Sequence, residues 1–102
     1  MVQYEILQIN AQHPESVNYA FRPLRMLDSS NKKPRRELYN VVYTGSVTEF
    51  ENNKTLEELF YKFSIQHPVD FKGHSLSVSD VIHINDTYYY CDSFGFKTIE
   101  DF

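Results

Sequence analysis

The sequence predicts an α+β fold: a small, mostly antiparallel sheet of four to five strands, packed by one main helix over about residues 55–66. Three observations point there. Runs rich in β-branched and aromatic residues (Tyr4–Ile9, Leu38–Thr44, Val78–Ile84, Tyr88–Asp92) recur between turn-forming residues. A single segment shows helical spacing of apolar residues behind a helix-start signal. These pieces do not alternate strand with helix, as a parallel sheet would require. At 102 residues, with no repeat, low-complexity tract or linker, the chain reads as one domain, 1–102.

Tyr4, Ile6, Leu7 and Ile9 mark the first strand, its alternation broken at Ile6-Leu7. Pro14 suits the first position of a short helical turn. Pro23 forbids a long helix across Asn18–Leu27, so that stretch is expected to be irregular, with a short helix pinned to the core by Phe21 and Leu24. Asp28–Arg36 is the most polar stretch and reads as an exposed loop. Leu38–Thr44 is the second strand, and Gly45 is expected to end it. In the helix, Thr55 is the expected N-cap and Glu58 its capping-box partner. Leu56, Leu59, Phe60 and Phe63 share one face, a core-packing stripe. Glu58 and Lys62 are spaced for an ion pair, and His67-Pro68 stops the helix. Val78–Ile84 contains the next strand, Asn85–Thr87 is a tight hairpin loop, and Tyr88–Asp92 returns. A turn at Ser93–Gly95 leads to a short edge strand, Phe96–Ile99.

Apolar residues at 41% and charged residues at 24% are the balance of a globular domain, not a disordered one. The net charge of −4 argues against a general nucleic-acid binder. The charge is uneven: residues 1–40 carry six bases and four acids, residues 41–102 four bases and ten acids. Such a two-signed chain suits an acidic face that docks on a basic partner. No apolar run is long enough to span a membrane, and MVQYEILQIN lacks the features of a signal peptide. A lone cysteine, Cys91, forms no internal disulfide, which fits a reducing compartment, the cytoplasm.

Groups suited to chemistry are few. Of His13, His67, His74 and His83, only His67 and His74, on either side of one loop, are placed to share a metal ion. Cys91, Asp92 and a histidine have the residue types of a nucleophilic set, but an aromatic strand offers nothing to lower a thiol pKa. Gly45, Gly73 and Gly95 are too far apart for a phosphate loop. The pairs Glu49/Glu51 and Glu57/Glu58 lie in solvated contexts that do not split their pKa values. The expectation is a protein that is no enzyme, with no catalytic residue, cofactor or metal. Two charged clusters remain. Lys32, Lys33, Arg35 and Arg36, a basic loop ahead of Tyr39 and Tyr43, have the composition for contact with single-stranded RNA. Glu49, Glu51, Glu57 and Glu58, with Glu100 and Asp101, suit a basic groove on a partner protein.

The most distinctive residues lie later. His67-Pro68-Val69-Asp70-Phe71-Lys72-Gly73-His74-Ser75-Leu76-Ser77-Val78-Ser79-Asp80-Val81-Ile82 is followed by Tyr88-Tyr89-Tyr90-Cys91-Asp92-Ser93-Phe94-Gly95-Phe96. With Asn18-Tyr19-Ala20-Phe21, Tyr43-Thr44-Gly45 and Thr55-Leu56-Glu57, these runs resemble the YodL-like domain family, common on plasmids and conjugative elements of Gram-positive bacteria. Physically, Asp80 is placed to brace a turn at a strand start, and Asp92, Ser93 and Gly95 to form an Asx-type turn. Either the signature is a nucleus of turns, or it is a partner-binding surface with His74 and Phe94 as exposed anchors. The resemblance implies a mobile-element protein that antagonises a host defence nuclease. The expected form is an anti-CRISPR that inhibits Cas9 by interfering with assembly of the guide-RNA complex, with Cas9 or that complex as partner. The alternative it implies is a modulator of the actin-like cell-shape machinery. A third reading is an RNA-cleaving enzyme using His74 or His67.

Overall fold

The computed structural model describes residues 1–66 and 68–102. His67, and with it the reading that pairs His67 with His74 on a metal, lies outside the described residues. Five strands form one antiparallel sheet: β1 (Val2–Ile9), β2 (Tyr39–Val47), β3 (Val81–Ile84), β4 (Thr87–Cys91) and β5 (Phe96–Ile99), in the order β2-β1-β3-β4-β5. Two helices join them, α1 (Leu24–Ser29) and α2 (Asn53–Ile65). The α+β class, the single main helix and the edge strand Phe96–Ile99 are as the sequence predicts.

The sheet is buried on both faces, which explains the broken alternation of β1. Tyr4 and Ile6 join Ile82, Ile84, Cys91 and the α2 residues Leu56, Leu59 and Phe63 in one core. Leu7 turns to the other face, with Val81, Tyr90, Tyr19, Leu27, Leu38 and Tyr39. Adjacent apolar pairs such as Ile6-Leu7 and Val81-Ile82 therefore fill two cores at once. A bulge aids this: the β1–β2 register shifts between Ile6 and Leu7, leaving Val42 as the extra residue. Burial of Leu56, Leu59 and Phe63 contributes about 2 kcal/mol each relative to exposure.

Several details differ from the sequence reading. The main helix starts at Asn53, two residues early, with Asn52 as N-cap at φ 55°. Thr55 lies inside the first turn and is buried; its hydroxyl accepts the Glu51 N–H at 2.7 Å instead of capping the helix. The ion pair at this end joins Lys54 to Glu51 at 3.6 Å, while the Lys62 ammonium stands over the Phe63 ring. β2 runs through Gly45 to Val47, because a Cβ there would come within 2.6 Å of Tyr4 Oη; the missing side chain admits the tyrosine. Leu38 precedes β2 in a 3₁₀ turn, Arg36–Leu38. The turn after Pro14 is likewise a 3₁₀ turn, Ser16–Asn18. Thr87 belongs to β4, so the β3–β4 loop is two residues, Asn85 and Asp86, both at positive φ as a type I′ turn requires. Phe21 does not pin the N-terminal segment: it is 63% exposed, and Tyr19 and Leu27 hold that place.

Candidate functional site

The segment after α2 is built as a scaffold. Its first task is to close the helix: the Leu76 N–H reaches the Phe63 carbonyl at 3.3 Å, and Ser75 Oγ donates to the Ser64 carbonyl at 3.2 Å, satisfying acceptors a helix end leaves open. Its second task is to dock on β1, and there the key residue is Gln8, buried at 3%. Gln8 Nε2 donates to the His74 carbonyl at 2.8 Å and to Asp80 Oδ2 at 3.1 Å, and Gln8 Oε1 accepts the His74 N–H at 3.1 Å. A Cβ on Gly73 would collide with Gln8 Oε1, so the Gly-His pair of the signature permits this clamp. Asp80 is the second buried polar centre. Its Oδ2 also accepts the Ser77 N–H at 2.9 Å, and its carbonyl accepts the Cys91 N–H at 2.8 Å. Loss of water pushes the Asp80 carboxyl up to about 7, opposed by the Ser77 N–H, nearby His74 and Gln8.

On this scaffold stand aromatic side chains that face solvent. Phe21, at φ 62°, donates its N–H to Ser79 Oγ at 2.9 Å; Ser79 is itself at φ 87°. Tyr39 Oη donates to the Ser79 carbonyl at 2.6 Å and Tyr90 Oη to the carbonyl of Arg22, next to Phe21, at 2.7 Å, fixing Ser79 and the residue that follows Phe21. The Phe21 ring lies 5.9 Å from that of exposed His74. Beyond β4, Asp92 Oδ1 accepts the N–H of Ser93 at 2.9 Å and that of Leu24, the first residue of α1, at 3.2 Å. The Asp92 N–H reaches the Gly95 carbonyl at 3.0 Å and Gly95 takes φ 70°; the carboxylate braces this turn through the adjacent Ser93 N–H and through α1, not through the N–H two residues on that the expected Asx-type turn uses. That fixed turn presents Phe94 at 88% exposure. Beside it, a cleft of about 480 Å³ opens between α2 and the β4–β5 turn, with Phe60, Tyr61, Ile65 and Phe96 among its walls.

The charged candidates are distributed differently from their order in the sequence. Glu49, Glu51 and Glu58 line one depression together with Lys54 and Lys62, so the acids are interleaved with bases there. Glu57 borders two grooves: the apolar cleft, where the other charged residue among those described is Asp92, and a shallower one that it shares with Glu58, Lys54 and Lys62. The basic loop divides. Arg35 is bound to Glu15 at 2.9 Å and to Glu37 at 2.6 Å, and Arg36 donates to the Tyr39 carbonyl at 3.0 Å. Lys32 and Lys33 instead share a depression with Asp28, Glu100 and Asp101. Tyr39 is buried and Tyr43 packs on Phe63, so neither ring lies open beside those bases. Cys91 is buried, and burial with Asp80 nearby pushes its thiol far above the ordinary range, away from the thiolate a nucleophile requires. Among the described residues no group of His, Cys, Asp and Glu is placed to hold a metal, and no helix is long and apolar enough to cross a membrane.

Gln8, Phe21 and the cleft were not evident from sequence alone. One signal for Gln8 exists: Tyr4, Ile6 and Gln8 share a strand face, and a polar residue on a core face needs partners.

Fold and site together define a small α+β domain whose signature residues build a rigid, aromatic-bearing surface. The chain belongs to the YodL-like domain family, whose model matches residues 3–102. No curated protein and no solved structure matches it.

Proposed function

We propose that the domain is a binding module that docks on a protein partner through its exposed Phe21, His74 and Phe94, with Glu57 and Glu58 of α2 supplying charge. The observation that carries this reading is the fixed exposure of Phe94: a large apolar ring held in water by a turn that the Asp92 carboxylate and the Asp92 N–H to Gly95 carbonyl bond brace. Rigid exposed aromatics are the anchors of protein interfaces, because they add contact area at small entropic cost. Phe21 supports the same reading, since a left-handed backbone that costs about 1–2 kcal/mol is kept at an exposed side chain.

In its narrower form the proposal takes a guide-RNA nuclease of the Cas9 kind as the partner and its positively charged nucleic-acid channel as the docking site. The acidic C-terminal two-thirds of the chain favours a basic counterpart. The test is a gel shift of guide RNA on purified Cas9, with the protein added before or after the guide. Loss of the complex only when the protein comes first supports competition for the loading surface, and Phe94→Ala is expected to weaken it at least tenfold. Undisturbed loading and DNA cleavage in both orders overturn the narrower form. Cell rounding on expression in a strain without the nuclease would then direct the search to the actin-like cell-shape machinery.

A further inference from the structure

We infer that the cleft between α2 and β5 takes an extended segment of the partner, one that adds as a strand to the free edge of β5 and carries bulky apolar residues flanked by Lys or Arg. This deepens the binding reading above and rests on it.

Three features of the molecule meet at this cleft. β5 is an edge strand: among the described residues none pairs with its outer side, the side on which an edge strand can take a further strand. Phe96, the first residue of β5, is also a wall of the cleft, and its ring meets Phe60 of α2 edge-on at 6.1 Å. A segment lying along β5 therefore directs alternate side chains towards α2. The walls there are apolar and partly open: Tyr61 and Ile65 are exposed, and a volume of about 480 Å³ has room for a large apolar side chain or two.

Charge selects the class of segment. Every charged residue described in the lining is an acid, Glu57 on the helix side and Asp92 on the turn side, and among the described residues neither forms an ion pair with a base. Asp92 is held by the Ser93 and Leu24 N–H groups but keeps its negative charge, so an acidic segment in the cleft is repelled from both sides and a basic one is attracted. Lys54 and Lys62 line the other grooves along α2, one of which Glu57 also borders, but neither lysine lines this cleft.

The probe is a fluorescein-labelled octapeptide, Lys-Val-Arg-Phe-Lys-Val-Arg-Leu, titrated into the 15N-labelled chain. The expected result is saturable one-to-one binding with amide shifts confined to 57–65 and 91–99. Affinity should fall at least tenfold on Glu57→Lys, on N-methylation of alternate peptide amides, and for the counterpart with Glu at every basic position. Glu57 is exposed, so its reversal leaves the fold intact, as circular dichroism should confirm. No saturable binding, equal affinity for the acidic counterpart, or shifts located elsewhere would overturn the inference. Failure here, with the native chain still blocking guide loading and Phe94→Ala still weakening that block, would remove the cleft and leave the module reading standing. A bound octapeptide with undisturbed guide loading would remove the nuclease and leave the cleft.

Discussion

The carboxyl of Asp80 should make this domain more stable in mild acid than in mild alkali. The side chain is 1% exposed, and its pKa rises from 3.8 to about 7, mainly because it is removed from water. The unfolded chain releases this proton near 3.8 and the folded chain near 7. Between those values the folded state holds a proton that the unfolded state has lost. Each pH unit upward then costs about 1.4 kcal/mol of stability, or about 4 kcal/mol over the window, after which this group contributes no further change. Asp80→Asn keeps an oxygen for the Ser77 N–H and for Gln8 Nε2 but cannot ionise. The variant should lie within about 1 kcal/mol of the native chain near pH 4 and exceed it by about 3 kcal/mol at pH 8. Urea unfolding of both proteins from pH 4 to 8 measures this, and taking the difference cancels the other carboxylates. A difference that stays constant with pH, or that turns against the variant in alkali, would refute the reasoning.

Four further outcomes follow from the same contacts. Gly73→Ala should cost about 1–3 kcal/mol, and much less in a Gln8→Ala background, since the collision is with the Gln8 amide; a double-mutant cycle by urea unfolding reads the coupling. Asp86→Gly should raise stability by about 0.5–1 kcal/mol, because the second residue of the β3–β4 turn sits at φ 61°, measured as a higher melting temperature. Phe21→Gly should stabilise the fold by about 1 kcal/mol while weakening partner capture, an opposition that a purely structural phenylalanine would not show. Cys91 should resist a thiol reagent such as dithionitrobenzoate in native buffer and react at once in denaturant.

The elements were legible in the sequence where local chemistry decides them. Helical spacing placed Leu56, Leu59 and Phe63 on one buried face, and Asn85-Asp86 marked a turn because these residues tolerate positive φ. The ends of elements were less legible. Gly45 looks like a terminator, but Tyr4 occupies the space its side chain would need; that contact spans some forty residues and leaves no local trace. Thr55 has the chemistry of an N-cap and in fact serves the Glu51 N–H from within the helix. For the site, His74 and Phe94 were legible as exposed positions, since both sit among turn formers. Phe21 was not, because an apolar residue between Ala20 and Pro23 is expected inside, and only the Ser79 hydroxyl 58 residues away turns it out. The division of the basic loop was also hidden, since the acid that binds Arg35 from a distance, Glu15, lies twenty residues upstream.

The position of β1 inside the sheet has a consequence for how the chain folds. The first strand made is second in spatial order, and its neighbour β3 begins only at Val81; Tyr4 pairs with Ile84. Closing so long a loop is entropically costly and comes with little local reward. The meander β3–β4–β5, by contrast, is joined by short turns and can form early. Folding should therefore begin at the C-terminal third and recruit β1 late, at rates of milliseconds to seconds rather than microseconds. During synthesis the apolar β1 emerges well ahead of β3, and until Val81–Ile84 is made only β2 can pair with it. One side of β1 thus stays unpaired until then, which makes the nascent chain a substrate for chaperones that shield unpaired strands.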